Sequence, residues 1–155
     1  MAVSGDTAQN IASTAAAQIV AQYNAGLAAN ILVLWAGVND AVDNGRSASQ
    51  IYTDLSSTIA AAAGAGFLTV LCTELPSTTV AAAGAGWNAT RATLNTAIRG
   101  NAAGADVIAD LAANTTIGDD TDSDNTTYYA DKLHPTGEGD RIIGEIIGAA
   151  IGSLL

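Results

Sequence analysis

Two short apolar runs, each preceded by a helical stripe, constrain what this chain can fold into. Residues 31–35 read Ile-Leu-Val-Leu-Trp and residues 67–72 read Phe-Leu-Thr-Val-Leu-Cys, so nearly every position is apolar. A strand that is covered on both faces has this composition, which is typical of parallel sheets. The sequence therefore predicts a buried parallel strand at both places.

Apolar residues at helical spacing precede the first of these strands. They recur at every fourth position from Ile11 to Leu27 and predict a helix over residues 7–28. Asp6 and Gln9 stand where a capping box would close the start of that helix.

Similar stripes follow along the rest of the chain. They predict helices over residues 51–62 and 87–98 and a final helix with its stripe over residues 142–151. Pro135 is expected to open the final helix, because proline suits the first helical position. A third strand is expected at residues 106–111.

The alternation of strands and helices indicates a parallel sheet with right-handed crossovers, packed between layers of helices. The expected fold is therefore a three-layer α/β/α domain. With 155 residues, the chain is expected to form one domain over residues 1–155 and to bury about two-thirds of its unfolded surface. Residues 112–134 are polar and irregular, and loops of that length are often functional.

Charge and composition exclude several classes of partner. The formal net charge is −10 with only five basic residues, so nucleic acid and anionic lipid are not expected as partners. No apolar run reaches the length of a membrane span, and the first residues lack the features of an export signal. The single cysteine, Cys72, lies in an apolar run and is expected to be buried, so the cellular compartment stays open.

Two polar motifs lie where parallel sheets bind ligands, outside the carboxyl ends of the strands. Residues 37–40, Gly-Val-Asn-Asp, belong to a polar turn expected at residues 36–46, in which the Asn39 amide can donate a hydrogen bond. Asp131 and His134 are three residues apart, so the carboxylate can hold Nδ1 and leave Nε2 as a base. The competing interpretation of His134, the only histidine, is a residue that caps or packs at the last helix.

The acidic loop at residues 119–125 partly resembles a calcium loop. Four aspartates match positions 1, 3, 5 and 12 of such a loop: Asp120, Asp122, Asp124 and Asp131. Asn125 replaces the glycine, an aspartate replaces the bidentate glutamate, and no helix is predicted before the loop. The sequence therefore favours a solvated acidic loop, and neither a metal nor another cofactor is expected.

Together, the motifs resemble those of the SGNH, or GDSL-type, hydrolases. A Gly-x-Asn-Asp after a buried strand, an Asp-x-x-His-Pro before the final helix, and residues 3–7, Val-Ser-Gly-Asp-Thr, occur in the order seen in that family. The resemblance covers nearly the whole chain and includes residues 73–76 and 110–111. It implies a flavodoxin-like α/β/α fold and an ester hydrolase that acts on small acyl or acetyl esters.

The resemblance also implies roles for individual residues. The Gly5 N–H and the Asn39 amide would donate hydrogen bonds to the oxyanion, His134 would be the general base, and Asp131 would orient it. Such donors lower the energy of the tetrahedral intermediate, and each contributes about 3 to 4 kcal/mol in comparable sites.

One departure from the family concerns the nucleophile. The Gly-Asp-Ser block that supplies the catalytic serine is absent before residues 3–7, which implies a fold truncated at its N-terminus. Ser4 lies beside an expected oxyanion donor and could approach His134. Three explanations stay open: loss of ester hydrolysis, hydrolysis through Ser4 or an activated water, and completion by another polypeptide. The alternative function is a non-catalytic domain that binds a carbohydrate or an acyl ligand.

The same departure affects the sheet. In flavodoxin-like order the first strand lies beside the strand at residues 31–35, so without that first strand residues 31–35 form an edge. An apolar edge without lysine or proline favours pairing with another chain. A homodimer joined through residues 31–35 is therefore expected, with a small ester as the ligand.

Overall fold

Three parallel strands form the sheet of the computed structural model, which describes residues 4–155 and every side chain in that range except those of residues 16 and 20. The strands lie in the order β1 (Ile31–Leu34), β2 (Leu68–Cys72) and β3 (Val107–Ala109). Val70 is in register with Val33 on one side and with Val107 on the other. The predicted parallel sheet is confirmed.

Helices cover both faces of this sheet. They are α1 (Ala8–Gln22), α2 (Val38–Asn44), α3 (Ala48–Gly64), α4 (Val80–Gly84), α5 (Trp87–Gly100) and α6 (Gly137–Gly152). Leu34 and Leu71 belong to a core that α3 and α5 complete, whereas Val70 packs in a second core with α6. The architecture is therefore the predicted three-layer α/β/α arrangement. Within the described range, no helix has the length and apolar composition required to cross a bilayer.

The first helix is shorter than predicted and ends at Gln22 rather than at residue 28. Beyond it, Asn30 Oδ1 accepts a hydrogen bond from the Asn24 N–H at 3.0 Å, and Asn30 Nδ2 donates to the Asn24 carbonyl at 3.0 Å. Asparagine side chains that bond to nearby backbone compete with helical hydrogen bonding. These two hydrogen bonds between Asn24 and Asn30 close the turn that leads from α1 to β1.

Residues 36–46 do not form the predicted polar turn, because α2 occupies most of them. Gly45, with a φ of +61°, ends this helix, and its N–H donates to the Ala41 carbonyl at 3.1 Å. A helix this short has too few turns to display an apolar stripe, which is why its periodicity gave no signal. The third strand is also shorter than predicted, since residues 111–113 form a 3₁₀ turn.

The last helix begins two residues after Pro135, so Pro135 does not occupy its first position. Thr136 caps this helix, and its Oγ1 accepts a hydrogen bond from the Gly139 N–H at 3.3 Å. Pro135 instead pairs with Tyr129 in an isolated antiparallel bridge. This bridge fixes the path of the chain directly after His134.

Among the described residues β1 pairs with β2 alone, so β1 lies at an edge of the sheet, as expected. The prediction that residues 31–35 are covered on both faces is wrong for one face. Val33 and Trp35 are each 38% exposed, because α6 packs over β2 and β3. Cys72 on the central strand is fully buried, as predicted.

A buried carboxylate joins the first two helices. Asp40 of α2 is fully buried, and its oxygens accept hydrogen bonds from the N–H groups of Ala8 at 2.6 Å and Gln9 at 3.2 Å. These donors are among the N–H groups that the start of a helix leaves unpaired. Arg46 Nε, 3.4 Å from Asp40, balances the charge of the carboxylate.

The predicted capping box of Asp6 and Gln9 is therefore wrong. Thr7 Oγ1 accepts a hydrogen bond from the Asn10 N–H at 3.1 Å, while the Gln9 N–H is taken by Asp40. A carboxylate that is distant in the sequence has replaced a local cap, which no pattern within the first helix could indicate.

Replacement of Asp40 should destabilise the whole domain. The Asp40→Ala variant leaves two N–H groups of α1 without their buried acceptor and removes one of the two carboxylates that pair with Arg46, the other being Asp54, so the free energy of unfolding should fall by about 2 to 4 kcal/mol. Urea denaturation measures this loss. Asp43→Ala, on the exposed side of the same helix, is the matched control and should leave stability nearly unchanged. Equal stabilities of the two variants would contradict this role of Asp40.

Candidate active site

Asp131 and His134 form a hydrogen-bonded pair on the loop before α6. Asp131 Oδ2 lies 2.8 Å from His134 Nδ1, and Asp131 Oδ1 accepts a hydrogen bond from the His134 backbone N–H at 2.7 Å. The Leu133 N–H donates to the same oxygen at 3.1 Å. One carboxylate thus holds the imidazole and the turn that carries it, and Nε2 lies on the side of the ring away from Asp131.

Hydrogen bonds hold the turn between Asp131 and His134 in an unusual backbone conformation. Lys132 has a φ of +68°, a left-handed conformation that costs a residue other than glycine about 1 kcal/mol or more. Its carbonyl accepts a hydrogen bond from Ser77 Oγ at 2.9 Å, and the Ala130 N–H donates to the His134 carbonyl at 2.8 Å. These contacts hold the turn that presents the imidazole.

Asp131 is charged throughout the neutral pH range. The backbone N–H of His134, and after it the imidazole, lower the pKa of Asp131 from 3.8 to about 2. The side chains of both residues are mostly exposed, at 72% for His134 and 56% for Asp131. An ionised acceptor on Nδ1 favours the tautomer in which Nε2 can take up a proton.

The segment before α1 is tied to the start of α2. Asn39 Nδ2 donates a hydrogen bond to the Asp6 carbonyl at 2.8 Å, and since an amide nitrogen carries two hydrogens, one donor remains for a ligand. Gly5 has a φ of +74°, which favours glycine. The two expected oxyanion donors, Gly5 and Asn39, are thus linked through Asp6. Val3, the first residue of the motif at residues 3–7, lies outside the described residues.

A groove of about 970 Å³ brings the predicted site residues together. Ser4, Gly5, Asn39 and His134 line it, and Asp131 lies behind His134. The groove continues along β1, between α1 and Ile147 of α6. A hydroxyl, two possible oxyanion donors and a histidine therefore share one open cleft.

Glu74 is a site residue that the sequence analysis missed. It lies two residues after the end of β2, is only 4% exposed and lines the same groove. Its Oε1 has no hydrogen-bond partner within the described residues. Gly37 lies beside this side chain, since a Cβ atom built on Gly37 would be 3.6 Å from the Glu74 carboxyl carbon. Its position at the end of a strand was the available signal, but sequence alone does not show burial.

Helix α5 fixes the backbone of Glu74. The Glu74 N–H donates to Asn95 Oδ1 at 2.7 Å, and Asn95 Nδ2 donates to the Glu74 carbonyl at 2.9 Å. Arg91 Nη1 lies 3.4 Å from the same carbonyl. The loop that carries Glu74 is therefore held on one side by α5, and through Ser77 it supports the turn at Lys132.

Burial makes Glu74 a weak acid. Desolvation raises its pKa from 4.5 to about 8, despite the opposing effects of the Trp35 side chain and the Ala36 backbone, and the nearby Asp40 raises it further. Glu74 therefore carries a proton at neutral pH. A neutral carboxylic acid in the groove can donate as well as accept a hydrogen bond.

The acidic loop at residues 119–125 uses its carboxylates for protein contacts. Asp120 pairs with Arg91, and Asp124 accepts from Thr78 Oγ1 and lies 2.9 Å from Lys132 Nζ. Asp122 accepts a hydrogen bond from a backbone N–H of the loop at 2.8 Å. Over residues 4–155, no three acidic, histidine or cysteine side chains cluster in a way that would hold a metal ion.

Comparison with known proteins places these features in a family context. Residues 1–142 match the model of the GDSL-like Lipase/Acylhydrolase family. No curated protein matches the chain.

Several solved structures share the fold. A carbohydrate esterase family 3 protein from Talaromyces cellulolyticus is 26% identical, with a TM-score of 0.74, and the match covers 97% of this chain and 69% of that one. An acetyl esterase mutant with an acetate ion is also 26% identical, with a TM-score of 0.70 and the same coverage. A GDSL-like lipase from Bacteroides thetaiotaomicron is 20% identical, with a TM-score of 0.73 and coverage of 98% and 74%.

The raised pKa of Glu74 predicts how stability depends on pH. The folded chain keeps a proton on Glu74 that the unfolded chain releases above about pH 4.5, so the free energy of unfolding should fall as pH rises from 4.5 towards 8. The Glu74→Gln variant has no carboxyl group at this position, so this fall in the free energy of unfolding should not occur in it. The stability of the variant relative to the native chain should therefore increase with pH, by up to about 1.4 kcal/mol per unit.

Chemical denaturation at several pH values measures the effect. Glu145→Gln, on the exposed side of α6, is the control and should not change the pH dependence in this way. If the stability curves of Glu74→Gln and the native chain stay parallel between pH 5 and about 8, Glu74 is not protonated in the folded state.

Proposed function

The chain belongs to the GDSL-like lipase/acylhydrolase family, and on that premise we propose that it hydrolyses esters of small acyl groups, acetyl esters above all. The observation that carries the proposal is the pair formed by Asp131 and His134, 2.8 Å apart, at a groove that Ser4 and Asn39 also line. A base held by an ionised carboxylate, in the same groove as a serine hydroxyl, supplies the groups that serine-type acyl transfer uses.

His134 is the proposed general base. The Asp131 carboxylate is hydrogen-bonded to Nδ1 of the imidazole, so proton transfer takes place at Nε2. Because the carboxylate of Asp131 is ionised at neutral pH, it also stabilises the imidazolium that forms when Nε2 accepts a proton.

Ser4 is the proposed nucleophile. Its Oγ would attack the ester carbonyl carbon while Nε2 of His134 takes the hydroxyl proton, and His134 would return that proton to the leaving alcohol. Water would then cleave the acyl-serine bond in the same way and release the acid. Support for Ser4 comes from its exposure and from its position in the groove with His134. A water molecule activated by His134 is the alternative nucleophile.

Gly5 and Asn39 are the proposed donors to the anionic oxygen of the tetrahedral intermediate. The Asp6 carbonyl holds the Asn39 amide at 2.8 Å, which limits the motion of the remaining N–H. A donor that is fixed before the reaction needs no reorganisation when the charge develops.

A small acyl group is the preferred substrate because two structures at 26% identity are described as a carbohydrate esterase and an acetyl esterase, the second with an acetate ion. Esters of acetate on sugars are therefore the first compounds to test. Binding of a carbohydrate or acyl ligand without turnover is the second candidate, because the open groove of about 970 Å³ beside His134 could hold such a ligand.

Hydrolysis of a chromogenic acetate ester tests the nucleophile and the base together. Ser4→Ala and His134→Ala should each lower kcat/KM by on the order of 10³-fold, and the double variant should be no worse than either, because members of one catalytic unit are not additive. Ser13→Ala, an exposed serine on α1, is the control.

The other outcomes separate the alternatives. Full activity of Ser4→Ala with loss of activity in His134→Ala would exclude Ser4 and favour activated water. Equal rates for the native chain and His134→Ala would reject the enzyme and favour ligand binding without turnover.

The pH dependence of kcat/KM tests the role of Asp131. Because the pKa of Asp131 is about 2, its carboxylate stays ionised above about pH 4 and contributes no ionisation to the profile there. Above that pH, Asp131→Asn should therefore lower kcat by a similar factor at every pH. Equal kcat values for Asp131→Asn and the native chain would contradict this role of Asp131.

A further inference from the structure

The buried carboxyl group of Glu74 has no role in the chemistry proposed above, although it lines the same groove as Asn39 and His134. We propose that protonated Glu74 positions the loop at residues 35–39, which carries Asn39, and that ester hydrolysis weakens when Glu74 loses its proton. The inference rests on the proposed function, in which Asn39 is a donor to the oxyanion. Glu74 is a positioning residue in it, because it acts through the loop and not on the substrate.

The Glu74 side chain packs against the start of this loop. A Cβ atom built on Gly37 would be 3.6 Å from the Glu74 carboxyl carbon and closer still to side chains of α3 and α5. The Trp35 side chain and the Ala36 backbone lie near enough to the carboxyl group to lower its pKa. The first three residues of the loop are thus in contact with one carboxyl group or directly beside it.

Hydrogen bonds connect the start of the loop to Asn39. The Gly37 carbonyl accepts a hydrogen bond from the Ala41 N–H at 3.3 Å, in the first turn of α2. Asn39 lies in the same turn, and its amide donates to the Asp6 carbonyl at 2.8 Å. A displacement of Gly37 would therefore also displace the amide that is proposed to bind the oxyanion.

Ionisation of Glu74 would disturb this packing. Its Oε1 is buried and has no hydrogen-bond partner within the described residues, and a charged oxygen in that position costs far more than a neutral one. Asn95 holds the Glu74 backbone through its N–H at 2.7 Å and its carbonyl at 2.9 Å, so the backbone resists movement. The ionised side chain must therefore move towards water, or the loop that covers it must shift.

The charged and titratable groups around Glu74 come from three elements. Burial has the largest effect on Glu74; Asp40 of α2 also favours its protonated form, whereas Arg91 of α5 opposes it, and the resulting pKa is about 8. Cys72 of β2 stays neutral near that pH, because burial raises the pKa of its thiol to about 12. Ionised Glu74 would thus place a second negative charge near Asp40, which holds the start of α1.

The pH dependence of ester hydrolysis tests the inference on the native chain. With a chromogenic acetate ester, kcat should fall from about pH 7 to about pH 9 with a midpoint near 8, as Glu74 ionises. Glu74→Gln has a side chain of nearly the same shape that cannot ionise, so its kcat should stay level over this range. Glu145→Gln, at an exposed residue of α6, is the control and should keep the native profile.

Glu74→Ala separates positioning of the loop from substrate binding. This variant removes the carboxyl group beside the loop, so kcat should fall by about 10-fold with KM nearly unchanged, because an oxyanion donor acts in the transition state. Glu74→Gln should recover most of that loss. If Glu74→Ala does not fold, the native chain and Glu74→Gln still decide the question. A native profile without an alkaline fall, or the same fall in Glu74→Gln, would overturn the inference.

The fluorescence of Trp35 provides a measurement that needs no turnover. Trp35 begins the loop and lies near the carboxyl group, so the emission of the native chain should change with a midpoint near pH 8. The change should be absent from Glu74→Gln and from Trp35→Phe, in which Trp87 is the remaining tryptophan. If the native chain hydrolyses no ester, the proposed function fails, and this titration alone decides whether Glu74 positions the loop. No change in the native chain, or the same change in Glu74→Gln, would overturn that role.

Discussion

The contact between Asp40 and the start of α1 determines where the candidate site can form. The Asp40 carboxylate accepts hydrogen bonds from the N–H groups of Ala8 and Gln9. The amide of its neighbour Asn39 donates a hydrogen bond to the Asp6 carbonyl. The chain before α1 is therefore held against the carboxyl end of β1 by two adjacent side chains of α2. Because a buried charge is tolerated only when it is well paired, this arrangement has little freedom to shift.

The other side of the site has its own support, which comes from α5. Asn95 fixes the backbone of Glu74, and Ser77 on the same loop holds the carbonyl of Lys132. The turn that carries His134 is thus connected to α5, a helix that does not line the groove. Loops provide the chemistry here, but their geometry depends on side chains from helices, which is how mobile segments acquire the fixed geometry that catalysis requires.

The sequence predicted those parts of the molecule that depend on local pattern. Apolar runs located the strands, and the spacing of Asp131 and His134 predicted their contact, because both signals arise within a few residues. Burial of Glu74, exposure of Val33 and the cap supplied by Asp40 depend on residues that are distant in the sequence. Tertiary packing decides these features, so neither periodicity nor residue type could reveal them. The short helix α2 was missed for a different reason, since it has too few turns to show a period.

The segment from Thr7 to Asn39 has a consequence for how the molecule orients in an electric field. Since every acidic and basic residue lies outside this segment, the negative charge of the chain is distributed unevenly around it. The molecule therefore carries a dipole, with its less negative end on the side of α1 and β1.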